Sequence, residues 1–166
     1  MSEHAPWVDI ATGALRRDAF DARTADAVRA AKRNRAPLSV VWIDVDDLFE
    51  HNDVHGQEEV DGALAWLAAQ VGSVVDGAGP IGRVAGGAFA VLLPGLERER
   101  ARALSERIRG RAQRRWHRSA SGLFRLTVSV GVATLRSHEP WGNFLEAAEL
   151  ACVRAKQGGR DGVVAR

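Results

Sequence analysis

The 166-residue chain has one cysteine, one methionine, no tyrosine and only 6% aromatic residues. The single cysteine, Cys152, excludes an internal disulfide and is typical of a reducing compartment. No apolar run approaches the roughly 20 residues that a membrane span requires. The first ten residues contain neither the basic stretch nor the apolar stretch of a secretory signal. We therefore expect a soluble, cytoplasmic protein that does not enter a membrane.

The rest of the composition is that of a globular protein, with 46% hydrophobic and 27% charged residues. The length matches one ordinary domain with a substantial core. Neither an internal repeat nor a linker-like stretch interrupts the chain, so we predict a single domain over residues 1–166. The formal net charge of +2 is too small to indicate a nucleic-acid partner by itself.

Apolar periodicity predicts elements in the order α-β-α-β-β-α-β-α-β, an α/β (α+β) fold. Helices are expected at residues 16–34, 57–75, 97–118 and 144–157, and strands at 38–46, 81–85, 89–93, 124–135 and 163–165. Gly131 lies inside the longest strand and indicates a bulge or a close backbone approach. The Gly86-Gly87 pair predicts a tight hairpin, because glycine adopts the positive φ that two-residue turns need.

Two carboxylates, Asp44 and Asp46, end the first strand and share a face if the chain is still extended there. Mg²⁺ prefers such oxygen ligands, and phosphoryl transfer with two metal ions uses carboxylate clusters. Aspartate also commonly begins a turn after a strand. Both interpretations stay open, and Asp46 is the weaker metal candidate.

Residues 44–64 follow, without a gap, the pattern Asp-x-Asp-x-Phe-Lys-x-x-Asn-Asp-x-x-Gly-His-x-x-Gly-Asp-x-x-Leu, with several departures. Further similarity covers residues 9–20, 83–94, 127–133 and 148–161. Together these segments resemble the GGDEF family, the diguanylate cyclases, in the family's order and over nearly the whole chain.

The resemblance implies a palm-like fold of the adenylyl-cyclase type, with a central five-stranded, largely antiparallel sheet, and a bacterial protein of cyclic di-GMP signalling. Active members condense two GTP between two facing domains. By position, Asp44 matches a metal ligand, Asn52 and Asp61 match the residues that read guanine, and Lys156 and Arg160 match groups that contact the phosphates. These residue types suit a guanine edge and a triphosphate.

The hairpin departs from the family pattern. Anchoring the alignment on Arg83 and Phe89 puts Gly87 and Ala88 at the family's two acids. Anchoring it on Gly86-Gly87 puts Ala88 and Phe89 there instead. Neither alternative supplies a carboxylate, so the resemblance assigns no catalytic residue to this chain.

Other family positions are also changed. Phe49 replaces a phosphate-contacting lysine, Gln57 replaces a histidine and Val60 replaces a glycine. The inhibitory product site matches Asp76 and Gly79 and is predicted to be absent. Single electrostatic groups in such sites are worth on the order of 10²–10³ in rate. We therefore predict a pseudo-enzyme, a degenerate GGDEF domain without cyclase activity.

The resemblance leaves the ligand open. One hypothesis is a regulatory domain that senses GTP, or cyclic di-GMP, through Asn52, Asp61, Lys156 and Arg160, with Mg²⁺ bound at Asp44 only together with a nucleotide. Lys156 and Arg160 would also be favoured at a helix C-terminus without any ligand. The pocket is therefore either in use or merely inherited.

Two other hypotheses remain. One is a protein-interaction scaffold that binds a protein partner or a second copy through Trp7, Trp116 and Trp141, because tryptophan is enriched at interface hot spots. The other is a weak residual diguanylate cyclase. The segment 98–118 carries nine arginines, for which a solvated helix face is favoured over nucleic-acid binding.

Overall fold

The computed structural model describes residues 7–166. The first six residues, on which the expected lack of a secretory signal partly depends, lie outside this range. Within it, the helices are α1 (Arg17–Asn34), α2 (Leu48–His55), α3 (Gln57–Val75), α4 (Arg98–Ala112) and α5 (Trp141–Gln157). The strands are β1 (Leu38–Val45), β2 (Ile81–Ala85), β3 (Ala88–Pro94), β4 (His117–Ser119), β5 (Gly122–Phe124), β6 (Val128–Thr134) and β7 (Val163–Ala165).

The central sheet has five strands in the order β2-β3-β1-β6-β7, and only the β6–β7 pair is parallel. The predicted five-stranded, largely antiparallel sheet is therefore confirmed. Successive residues of β1 point to opposite faces. Val41 and Ile43 pack in one buried cluster with α3 and α4, and Val40 and Trp42 pack in the other with α1 and α5. Helices thus cover both faces of β1, and the next residue on the α5 face is Asp44.

Helix α5 lies directly against β6 because Gly131 has no side chain. A β-carbon built there would lie 2.0 Å from the carbonyl oxygen of Ala148 and 2.3 Å from the amide nitrogen of Cys152. The close backbone approach predicted at Gly131 is confirmed. This contact fixes the last turn of α5, which carries Lys156, beside the end of β1.

One helix is missed and three predicted elements have wrong bounds, among them α5, which begins at Trp141 and not at residue 144. Residues 48–55 form α2, which has no fully buried residue and therefore shows no apolar stripe in the sequence. The arginine-rich helix stops at Ala112, where its buried stripe ends, and the chain then forms the separate β4–β5 hairpin. The long strand predicted from residue 124 begins only at Val128. The structure describes no helix in residues 7–166 that is long and apolar enough to cross a bilayer.

Candidate functional site

The candidate site lies at the end of β1, beside the hairpin that joins β2 and β3. Asp44 is directly opposite Ala88 of β3 and Ser129 of β6. Its side chain is 36% exposed and faces a cleft of about 100 Å³ that Ala85 and Lys156 also line. Small-molecule pockets usually measure roughly 300 Å³ or more. The cleft therefore suits a phosphate-sized group, and a nucleoside would have to lie outside it.

The strand register decides which family positions the hairpin residues occupy. Gly86-Gly87 forms the predicted turn, and β2 pairs Arg83 with Phe89. Phe89 is fully buried in the core on the α3 and α4 face, the face opposite to Asp44. Its position therefore cannot carry an acid of this site. The register therefore favours the alignment anchored on Arg83 and Phe89, in which Gly87 and Ala88 match the positions of the two acids.

Leu48 fills the space in which a side chain at residue 87 would begin. A β-carbon built on Gly87 would lie 2.6 Å from Cδ2 of Leu48. The neighbouring Ala88 presents only a methyl group opposite Asp44. The hairpin therefore offers the cleft an apolar wall in place of a second carboxylate.

The turn is held by Arg83 of β2, which is itself bound by Asp9 near the start of the chain. Arg83 donates hydrogen bonds to the carbonyl oxygen of Gly86 (2.7 Å) and to Oδ1 of Asp9 (3.1 Å). The same Asp9 oxygen accepts from the hydroxyl of Thr12 (2.6 Å). These bonds, with Arg83 beside it, lower the pKa of Asp9 against the opposing effect of burial. These hydrogen bonds thus hold the hairpin in a fixed position.

Asp46 is a structural carboxylate. It is 1% exposed and accepts hydrogen bonds from the hydroxyls of Thr127 (2.8 Å) and Ser129 (2.6 Å) and from the amide of Asp161 (3.1 Å). Both of its oxygens are therefore engaged with the protein. The structure gives no support to the weaker prediction of Asp46 as a metal ligand.

Lys156 reaches across from α5 to the end of β1. Its Nζ donates to the carbonyl oxygen of Val45 at 3.2 Å, and it lies 3.5 Å from Oδ1 of Asp44 and 3.8 Å from Oδ1 of Asp46. Burial raises the pKa of Asp44, while the ammonium of Lys156 acts in the opposite direction. Cys152 lines the same cleft, and burial raises the pKa of its thiol to about 12. The cleft thus holds the carboxylate of Asp44 paired with the ammonium of Lys156, a neutral thiol, and a second carboxylate from Glu149 of α5.

Asn52 and Asp61 lie on the consecutive helices α2 and α3. Asn52 is half-buried, and its Oδ1 is buried without a hydrogen-bond partner. Asp61 is exposed on α3 and makes neither an ion pair nor a side-chain hydrogen bond with residues 7–166. Asp61 is thus open to a ligand, whereas the Asn52 oxygen has no partner among residues 7–166 but is covered by the protein. The structure shows no direct contact between them or with Lys156.

Arg160 follows α5 in a left-handed conformation with φ +64. Its Nε pairs with Oδ1 of Asp47 at 3.0 Å, and the two side chains are 51% and 43% exposed. Asp47 precedes α2 and is also left-handed, with φ +52. This pair ties the end of α5 to the start of α2. A phosphate that binds Arg160 must therefore compete with Asp47.

The other departures from the family pattern occupy three different environments. Phe49 is 84% exposed on α2, Gln57 is exposed at the start of α3, and Val60 is fully buried in the core. Asp76 ends α3 in a left-handed conformation. A β-carbon at Gly79 would lie 1.8 Å from the carbonyl oxygen of Leu92. An aspartate therefore cannot stand at residue 79 on this backbone.

A cluster of aromatic rings beside the site does not follow from the sequence alone. His55 stacks on Phe124 at 4.3 Å and its Nδ1 is 2.9 Å from the hydroxyl of Ser119. The buried His117 lies 5.2 Å from Trp66, and its Nε2 has no partner. The cluster fixes the β4–β5 hairpin against α2, the helix that carries Asn52. The four-residue spacing of His51 and His55 is its only signal in the sequence.

A family model described as diguanylate cyclase, GGDEF domain, matches residues 7–162. The chain belongs to the GGDEF domain family. Diguanylate cyclase DgcM of Escherichia coli K12 is 32% identical over 163 residues, which make up 98% of this chain and 39% of DgcM. Diguanylate cyclase DosC of the same strain is 28% identical over 164 residues, 98% of this chain and 36% of DosC. This GGDEF domain thus spans less than half the length of these curated relatives.

Solved structures give the same result. The GGDEF domain of DgcB from Caulobacter crescentus, in complex with c-di-GMP, has a TM-score of 0.94 and 26% identity, covering 99% of this chain and 96% of that chain. Diguanylate cyclase SiaD from Pseudomonas aeruginosa, in complex with its activator SiaC, has a TM-score of 0.92 and 27% identity. The match covers 98% of this chain and 62% of that chain. The expected palm-like fold is therefore shown.

Cyclases of this family use Mg²⁺ with their nucleotide substrate. Two metal ions require bridging acids from more than one element. Here β1 supplies Asp44 alone, Asp46 is engaged elsewhere, and the hairpin supplies Gly87 and Ala88. Among residues 7–166, no three His, Cys, Asp or Glu side chains group as ligands for a metal ion. The residues present do not fit a two-metal centre.

Proposed function

We propose that this GGDEF domain is a catalytically inactive regulatory domain of cyclic di-GMP signalling that binds GTP. The proposal of inactivity is supported by the hairpin, where Gly87 and Ala88 replace both acids and Leu48 covers the vacated space. Loss of one electrostatic group costs on the order of 10²–10³ in rate. Loss of the hairpin acids together with the lysine at residue 49 leaves negligible turnover.

The observation that carries the proposal of a guanine ligand is the orphaned oxygen of Asn52. A buried polar atom without a partner costs about 1–3 kcal/mol, and native proteins retain few of them. The Watson–Crick edge of guanine presents N–H donors that such an oxygen accepts, and the exposed carboxylate of Asp61 accepts from the same kind of edge. Lys156 and Arg160 supply the positive charge for the phosphates.

Calorimetric titration with GTP, ATP and cyclic di-GMP tests the proposal. We expect GTP to bind and ATP to bind at least roughly tenfold more weakly, because ATP leaves the guanine-reading groups unpaired. Asn52→Ala should weaken GTP binding by a similar factor. Asn143→Ala, an exposed asparagine near the start of α5, is the matched control and should change nothing. Equal binding of GTP and ATP, or no effect of Asn52→Ala, would contradict the proposal.

A protein-interaction scaffold is the second candidate, and the exposed tryptophans favour it. Trp7, Trp116 and Trp141 are 55%, 58% and 39% exposed, as expected from the sequence. In the β4–β5 hairpin, Arg118 is opposite Leu123, and Arg125 lies 5.0 Å above Trp116. Sedimentation of the wild type and of Trp116→Ala tests association with a second copy. A monomer at all concentrations would exclude that partner.

The third candidate is a residual cyclase, which membership of a cyclase family favours. Chromatography of the domain incubated with GTP and Mg²⁺ tests it. We expect no cyclic di-GMP above the level of an Asp44→Ala variant. Product that the wild type forms and this variant does not would overturn the proposed inactivity.

A further inference from the structure

The oxygens at the end of β1 converge on an ammonium group. The carbonyl oxygen of Val45, Oδ1 of Asp44 and Oδ1 of Asp46 lie 3.2, 3.5 and 3.8 Å from Nζ of Lys156. A carbonyl and two carboxylates are the ligands that a hard divalent cation would take. An ammonium has three N–H donors and no acceptor; here it donates to the carbonyl oxygen of Val45 and forms ion pairs with the two carboxylates. These oxygens are therefore already occupied by a cation of the protein.

The surroundings favour the ammonium over a divalent ion. Asp46 keeps its two oxygens on the hydroxyls of Thr127 and Ser129 and on the amide of Asp161, so it adds charge but no open coordination position. Ala88, opposite Asp44, adds no oxygen at all. A divalent ion entering here would meet only the carboxylates of Asp44 and Glu149 among the side chains that line the cleft, and it would face the positive charge of Lys156 at close range. Like charges within about 4–6 Å disfavour each other by one to three powers of ten in binding.

The packing of α5 on β6 also fixes the position of Lys156. It extends from the last turn of α5, which Gly131 lets pack directly on β6. The side chain is 28% exposed, so it is neither a free surface lysine nor sealed from a ligand. The ammonium therefore remains at the cleft mouth, where a phosphate group can reach it.

The geometry points to a site in which Lys156 takes the place of the divalent metal, so that the domain binds the phosphates of its nucleotide without Mg²⁺. This inference rests on the proposed function only for the identity of the anion as a guanine nucleotide. The inference that the cleft binds no divalent metal ion without nucleotide does not depend on which nucleotide the domain binds. Asp44 then serves to position Lys156, not to hold a metal ion.

The first experiment uses Mn²⁺ as a paramagnetic probe, without nucleotide. We expect the wild type to bind no Mn²⁺ specifically below millimolar concentration. Lys156→Met should raise the affinity for Mn²⁺ by roughly tenfold or more, because it removes the competing positive charge. Arg154→Met, an exposed cation of the same helix, is the matched control and should not. Tight Mn²⁺ binding by the wild type that Asp44→Asn removes would overturn the inference. So would unchanged Mn²⁺ affinity in Lys156→Met, once circular dichroism shows that this variant is folded.

The second experiment titrates GTP into the wild type in EDTA and in millimolar Mg²⁺. We expect equal or weaker binding with Mg²⁺ present. The direction in which Asp44→Asn changes GTP affinity distinguishes a lysine counter-charge from a metal ion. With a lysine counter-charge, removing the carboxylate leaves GTP affinity unchanged or higher, since one negative charge near the phosphates is lost. With a metal ion at Asp44, the same change lowers affinity, and that result would refute the inference.

The two proposals fail in different ways. If the wild type binds no guanine nucleotide under either condition, the proposed function is wrong. The Mn²⁺ titrations would still decide whether Lys156 occupies the cation position. If GTP binds tightly only with Mg²⁺, the proposed GTP binding stands and the lysine inference falls.

Discussion

Replacing Asp46 should destabilise the domain far more than replacing Asp44, although the two aspartates are only two residues apart. Asp46→Ala would leave three donors without their acceptor: the buried hydroxyl of Ser129, and the half-buried hydroxyl of Thr127 and amide of Asp161. Hydrogen bonds to a charged group contribute about 1.5–3 kcal/mol each. Because neighbouring losses are not additive, we expect a total of about 4 kcal/mol.

Asp44→Ala is the matched comparison. Its side chain is 36% exposed, and its one ion pair with any of residues 7–166, that with Lys156, spans 3.5 Å. Such partly exposed pairs contribute about 1 kcal/mol or less. Burial also raises the pKa of Asp44, which means that the fold does not favour its charged form. The loss of this carboxylate should therefore cost little stability.

Equilibrium unfolding in urea, followed by tryptophan fluorescence, measures the difference. Trp42 lies in β1 and is 4% exposed, so its emission should report the loss of this strand. With a slope of about 2 kcal/mol per molar urea, Asp46→Ala should lower the midpoint by about 2 M and Asp44→Ala by less than about 0.5 M. Midpoints that agree within error would refute the structural role of Asp46.

Three further changes test other parts of the structure. Gly131→Ala should lower the free energy of unfolding, measured by thermal unfolding, by about 3 kcal/mol or more, because its β-carbon would overlap the backbone of α5. Gly142→Ala, with open space around it, is the control. Burial lowers the pKa of His117 from 6.5, so the unfolded chain binds more protons below that pH and the urea midpoint should fall on acidification. His117→Gln should reduce this fall of the urea midpoint. A variant whose midpoint depends on pH as the wild type's does would contradict the role of His117. Cys152, with a pKa of about 12, should react with a thiol reagent only after urea unfolds the chain; rapid reaction of the folded protein, read by absorbance, would count against a buried thiol.

The sequence predicts those elements whose side chains are buried in a regular pattern. Residues 38–46 are apolar almost throughout, and the strand they predict lies at the centre of the sheet. The Gly86-Gly87 pair correctly predicts a turn between β2 and β3, but neither glycine adopts the positive φ on which that prediction is based. The close approach at Gly131 is predicted because a glycine inside a strand usually marks a space without room for a side chain.

Elements that depend on tertiary contacts are not predicted. Helix α2 has no apolar stripe of its own, and its position depends on the ring of His55 stacking on Phe124, sixty-nine residues away in the sequence. The β4–β5 hairpin is missed because the helix predicted over residues 97–118 overlaps the start of β4, and the strand predicted from residue 124 overlaps only the end of β5. Its inward residues, His117 and Phe124, are buried only because α2 and α3 lie beneath them.

The contrast between Asp44 and Asp46 shows what motif resemblance alone cannot decide. Both match family carboxylates, and on an extended strand both would share one face. The strand ends at Val45, however, and Asp47 turns the chain at φ +52. The turn buries Asp46 beneath the start of β6, while Asp44 stays at the cleft. The presence of Asp46 is therefore explained by the stability of the fold and is no evidence for catalysis. Asp44 and Lys156 remain to be explained by a ligand, as do Asn52, Asp61 and Arg160. The distance of 3.5 Å between Oδ1 of Asp44 and Nζ of Lys156 is why we assign the positive charge of the cleft to the protein.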